Sequence, residues 1–83
     1  MIGKDDIGQV VYVHAEKGTI RILLTGKLSM GDTILIEKDS RQTRIVVENL
    51  SIAGIDINHG FKGDTVEMKT SASIEPQSIV YKI

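Results

Sequence analysis

The chain has 83 residues, of which 41% are hydrophobic and 25% charged, with ten basic against eleven acidic residues and a formal charge of −1. That size holds one domain, and it excludes a two-domain enzyme with a deep cleft between its halves. The balanced charge excludes a general polyanion-coating role, which needs a strong positive field, and the apolar content excludes a disordered chain. Cysteine is absent, so neither disulfides nor a thiolate-bound metal site can form.

The first six residues, Met1 to Asp6, contain no apolar run and end on two acids. They do not read as a secretory signal, and they predict a flexible amino-terminal arm over 1–6 of a single domain over 1–83. No stretch approaches the roughly 18 apolar residues of a membrane helix. With no cysteine, no leader and no membrane span, the reading is a cytoplasmic protein without membrane contact.

From there the apolar residues come in short Val- and Ile-rich runs: Ile7 to Val13, Ile20 to Leu24, Ile34 to Ile36, Ile45 to Leu50, Val66 to Met68 and Ile79 to Ile83. β-Branched side chains pack well on a pleated surface and lose rotamer freedom in helices. Ile20, Ile22 and Leu24 alternate with Thr19, Arg21 and Leu23, and Ile34 and Ile36 alternate with Leu35 and Glu37, which is the period of a strand. No segment sustains helical spacing over three turns, so no helix beyond a single turn is expected. Turn residues separate the runs at Lys17-Gly18, Gly26, Gly31-Asp32, Lys38-Asp39-Ser40, Gly54, Gly60, Gly63-Asp64 and Pro76. Ser51 to Lys62 is the least regular stretch and reads as an extended connection with one short strand near Ile55 to Ile57. About six short strands at this spacing predict an all-β fold, a small closed six-stranded antiparallel β-barrel, since closure removes exposed edges.

One pattern repeats. Gly31-Asp32-Thr33-Ile34 recurs as Gly63-Asp64-Thr65-Val66, with a fainter third copy at Pro76-Gln77-Ser78-Ile79. Glycine supplies a backbone angle that other residues resist, and the aspartate accepts hydrogen bonds from nearby N–H groups, so these acids read as turn formers rather than ligands.

The segment from Gly26 to Ile36, together with Thr43 to Ile52 and the second Gly-Asp, resembles the second domain of translation GTPases. It is most similar to the short stand-alone elongation factor-like proteins of prokaryotes, whose closing Val-Tyr-Lys is matched by Val80-Tyr81-Lys82. The family often carries Ala-x-x-Gly-Asp where this chain has Gly60-Phe61-Lys62-Gly63-Asp64, which reads as a small substitution. The resemblance implies a β-barrel that contacts RNA, the ribosome or a translation factor. It implies no GTP hydrolysis, because the chain lacks a phosphate-binding Gly-x-x-x-x-Gly-Lys-Ser/Thr loop. The alternative is a protein–protein interaction barrel with no nucleic acid role, like the accessory domains at the carboxyl end of some U32-type peptidases.

No nucleophile–base arrangement or metal-ligand cluster is visible, so catalytic residues, metal and cofactor are all expected to be absent. The candidates for RNA or partner contact are Arg21, Lys27, Arg41, Arg44, His59 and Lys62; the five cations among them, with Lys38, form a basic strip if the fold gathers them, and His59 stands in the irregular loop. Interspersed acids (Glu37, Asp39 and Glu48) offer the plainer reading of a solvated face. Tyr12, Phe61 and Tyr81 are too few for a base-stacking platform and are expected to pack in the core or at its rim. Asn49-Leu50-Ser51 matches a glycosylation sequon by chance.

Overall fold

The computed structural model describes residues 5–83. They form ten strands and, among the described residues, no helix and therefore none long and apolar enough to cross a membrane. In chain order the strands are β1 (Asp5–His14), β2 (Thr19–Leu24), β3 (Leu28–Ser29), β4 (Thr33–Lys38), β5 (Arg41–Val46), β6 (Ser51–Ile52), β7 (Ile55–Asp56), β8 (His59–Gly60), β9 (Thr65–Lys69) and β10 (Ile79–Lys82). The all-β expectation holds, whereas the closed six-stranded barrel does not. Eight strands make one antiparallel sheet in the order β5-β4-β10-β1-β2-β9-β6-β7, and its two ends are not paired to each other. β3 and β8 form a separate two-stranded ribbon.

Side-chain alternation decides what the sheet buries. On β2, Ile20, Ile22 and Leu24 are buried while Arg21 and Leu23 are exposed. On β4, Ile34 and Ile36 face inward. They meet Val10, Val66, Met68 and Val80 in one core, to which Leu28 of the ribbon and Val47 and Leu50 of the β5–β6 connection also contribute. Strand β1 is long enough to pair with both β2 and β10, and its register shifts once along each partner. Such bulges add local twist and let a sheet curl around its own contents. Residues 1–4 of the expected arm lie outside the described residues, while Asp5 and Asp6 already belong to β1, opposite Lys82 and Tyr81.

The irregular stretch is more ordered than its composition suggests. Ser51–Ile52 and Ile55–Asp56 pair across a turn in which Ala53 and Gly54 have φ of 52° and 83°. Two positive φ values in a two-residue hairpin fit a type I′ turn, a connection that normally announces itself as Asn-Gly or Asp-Gly.

The repeated motif is a corner built three times. In the first two copies the turn runs Ser29-Met30-Gly31-Asp32 and Phe61-Lys62-Gly63-Asp64. Gly31 and Gly63 have φ of 88° and 95°, the angle required at the third position of a type II turn. Each aspartate donates its N–H to the carbonyl three residues back, at 3.1 and 2.9 Å, and accepts that residue's N–H on Oδ2, at 2.8 and 2.9 Å. The third copy runs Glu75-Pro76-Gln77-Ser78, one residue later in register than the sequence pattern implies, with Gln77 rather than Pro76 at the glycine position. Gln77 takes φ of 71°, and the Ser78 hydroxyl donates to the Glu75 carbonyl at 2.6 Å.

All three corners dock alike. Gly31, Gly63 and Gln77 donate to the carbonyls of Val47, Leu24 and Val10. Those three residues return a bond to the carbonyls of Asp32, Asp64 and Ser78, so each corner is locked to a buried residue. Each then launches a strand, β4, β9 or β10, whose second residue (Ile34, Val66 or Val80) is completely buried.

Gln77 is the one non-glycine among the three left-handed corner positions. Its Cβ is strained there, while its side chain is exposed. Gln77→Gly is therefore expected to stabilise the protein by about 0.5–1 kcal/mol, the relief of strain exceeding the added freedom of the unfolded chain. Equilibrium unfolding in urea reads this directly; a variant weaker than the parent refutes the type II assignment of the third corner.

Candidate interaction surface

The ribbon gathers three of the candidate residues. Leu28 pairs with Gly60 and Ser29 with His59. Leu28 and Gly60 turn into the core, which leaves Ser29 and His59 facing outward, joined by a hydrogen bond of 2.9 Å between Ser29 Oγ and His59 Nδ1. Phe61 follows immediately and is 54% exposed, not packed in the core or at its rim as composition suggests. Its ring lies 6.5 Å from the His59 ring, centroid to centroid, and the Lys27 ammonium sits 5.8 Å from its centre. Met30, 40% exposed, lies beside the ribbon, with its N–H bonded to the Asn58 carbonyl at 2.9 Å. Lys62 is exposed at the next position of the corner.

This apolar ring is not carried by a loose loop. Phe61 opens the second Gly-Asp corner, where both its N–H and its carbonyl are held by Asp64. A fixed aromatic beside a methionine, an imidazole and a cation has the composition of a binding hot spot: a rigid apolar anchor with polar groups at its border. A cation resting over an exposed ring is worth about 0.5–1 kcal/mol.

The other candidates are not part of this cluster. Arg21 lies on the outer face of β2, ion-paired with Glu67 at 3.4 Å and 5.3 Å from the centre of the Tyr12 ring. Arg41 pairs with Glu75 at 3.6 Å, and Lys38 donates to the Pro76 carbonyl at 2.9 Å, so both tie the β4–β5 hairpin to the third corner. Arg44 stands three residues from Arg41 on the same strand and therefore on the opposite face. The continuous basic strip does not form, because these cations are divided among separate faces and two of them answer acids. Among the described residues, no group of three or more His, Cys, Asp or Glu is placed to hold a metal ion.

Asn49, which the sequence marks only as a chance sequon, has a structural task. Its Oδ1 accepts the Lys69 N–H at 2.7 Å and its Nδ2 donates to the Lys69 carbonyl at 3.4 Å. The carboxamide thus takes the place of a paired strand residue at the end of β9.

Neither the protein-family models nor the curated proteins yield a match to this chain. Among solved structures, the chain is similar to the C-terminal domain of a Geobacillus thermoleovorans protein described as a U32 peptidase. The TM-score is 0.88 at 16% identity, covering 95% of this chain and 92% of that one. The selenomethionine variant of the same domain gives 0.88 and 16%, covering 94% of this chain and 99% of that one. At this identity the likeness is one of fold. It corrects the resemblance to the second domain of translation GTPases and to their elongation factor-like relatives, and with it the expectation of RNA binding. The reason lies in the Gly-Asp motif. It encodes a hydrogen-bonded corner that this chain builds from two glycine copies and one Pro-Gln-Ser copy, so it reports turn chemistry rather than kinship. The fold that emerges is that of a peptidase's C-terminal domain.

Proposed function

We propose that this chain is a non-catalytic accessory domain that holds a protein partner, as a C-terminal domain would serve the enzyme that carries it. The reading is supported by a fold shared end to end with the C-terminal domain of a U32 peptidase. The observation that carries it is the half-exposed Phe61 ring, fixed by the Asp64 corner and bordered by Lys27, Met30 and His59. Burying such a ring in a partner's pocket releases water from apolar surface without the entropic cost of first ordering a loop.

The test is affinity purification from the native cell with the wild-type chain and with Phe61→Ala, followed by binary binding of the purified partner. Phe61→Ala trims a half-exposed ring outside the core and keeps both backbone bonds to Asp64, so the fold is expected to stay intact by circular dichroism. It is expected to weaken the complex by about tenfold or more. A partner held equally by both proteins, or recovery of nucleic acid alone, overturns the proposal.

A further inference from the structure

The sheet leaves one long edge open. β5 is the last strand on its side, and among the described residues nothing pairs with its outer edge. The phase of its ladder is fixed at both ends. Lys38 and Arg41 flank the two-residue turn at Asp39 and Ser40, and beyond β5 Val47 exchanges two bonds of 2.8 Å with Asp32 and Gly31. Bonded pairs alternate along an antiparallel ladder. Arg41, Thr43 and Ile45 therefore bond inward to β4, while Gln42, Arg44 and Val46 turn their N–H and C=O groups outward. No backbone partner for those six groups exists among the described residues.

A groove of about 560 Å³ opens beside the Arg44 to Val46 part of this edge. Arg44 and Val46 of β5 form one wall and Lys69 and Thr70, at the end of β9, the other, and Lys17 also lines it. The far wall cannot close the gap itself, because the Lys69 backbone is already occupied by the Asn49 carboxamide. Three cations, Lys17, Arg44 and Lys69, border the groove against one acid, Glu48.

We propose that the β5 edge accepts an extended acidic peptide as an added strand. The main chain of Gln42, Arg44 and Val46 supplies the ladder, and the three cations select carboxylate side chains. A second copy of this chain is the poorer occupant. β5 reads Arg-Gln-Thr-Arg-Ile-Val, with two arginines and no acid, so two-fold pairing of β5 with itself sets cation against cation. The site is separate from the Phe61 surface, and the two readings fail independently.

The experiment titrates the ¹⁵N-labelled whole chain with a capped hexapeptide that alternates valine and glutamate, at low salt. Amide shifts and slowed hydrogen exchange are expected at Gln42, Arg44 and Val46, with saturation at millimolar peptide. The same peptide with lysine for glutamate is expected to bind about tenfold more weakly, and Arg44→Glu to lose a similar factor for the glutamate peptide. Phe61→Ala is expected to bind it unchanged. Shifts centred on Phe61, equal binding of the two peptides, or no saturation at millimolar concentration each overturn the proposal. Concentration-dependent dimerisation through β5 without peptide also overturns it, by giving the edge to a second copy.

Discussion

Leu24→Ala is expected to destabilise the protein by about 3 kcal/mol. Leu24 is 1% exposed at the end of β2, where three parts of the fold converge. Its side chain lies against the backbone of Gly8 on β1 and Gly60 on β8. Its main chain anchors the second corner, donating to the Asp64 carbonyl at 2.8 Å and accepting from Gly63 at 2.9 Å. Alanine keeps both of those bonds, so the measured loss isolates the packing: the transfer free energy of the deleted carbons and the cavity they leave. A domain of this length has a total stability on the order of 4–12 kcal/mol, which makes such a loss a large share of the whole. The thermal midpoint should fall by about 12–24 °C. Leu23→Ala is the internal control, since Leu23 is 41% exposed on the opposite face of the same strand and should lose less than about 1 kcal/mol. Similar losses for the two variants, measured by denaturant titration, would contradict the register of β2.

The fold class was legible because it is written locally. Alternation in Ile20 to Leu24 and Ile34 to Ile36 names the buried face of β2 and β4, and glycine before aspartate names two of the corners. Strand count and closure are not local. Ser51 to Gly60 yields three short strands: β6 and β7 join through a turn in which Ala53 adopts φ of 52° with no Asn-Gly or Asp-Gly signal, and β8 pairs with the distant β3. The third corner is hidden in the same way, with Gln77 standing where glycine is usual. The candidate surface depends on pairing that only the folded chain reveals. Lys27 meets Phe61, and Ser29 meets His59, because β3 pairs with β8 across the whole of β4 to β7. Lys27, His59 and Lys62 could be picked out as polar residues near turns, but Phe61 could not be picked out as their centre. A lone aromatic in a sequence is more often core than surface. The misplaced kinship with translation factors has a related origin, since a motif that solves a turn problem recurs wherever that problem arises.

Gly60 is a tighter position than its place in the motif suggests. Set beside the alanine of the resembling family, it passes for a small substitution; in this fold alanine does not fit. A Cβ at Gly60 would lie 2.6 Å from Leu24 Cδ1 and 2.8 Å from Val66 Cγ1. The obstacle is space rather than backbone angle, because Gly60 lacks the positive φ of Gly63. Gly60→Ala is therefore expected to destabilise by about 2 kcal/mol through overpacking, and to push the β3–β8 ribbon outward with His59 and Phe61 on it. The Leu24→Ala background separates this mechanism from any general dislike of alanine in the ribbon. With the Leu24 δ-carbons gone, one of the two collisions disappears and the Val66 contact remains. The cost of Gly60→Ala should then shrink by about 1 kcal/mol, a favourable coupling that a double-mutant cycle in urea measures. Additive losses would mean that Gly60 does not touch Leu24, and the ribbon would have to sit elsewhere on the core.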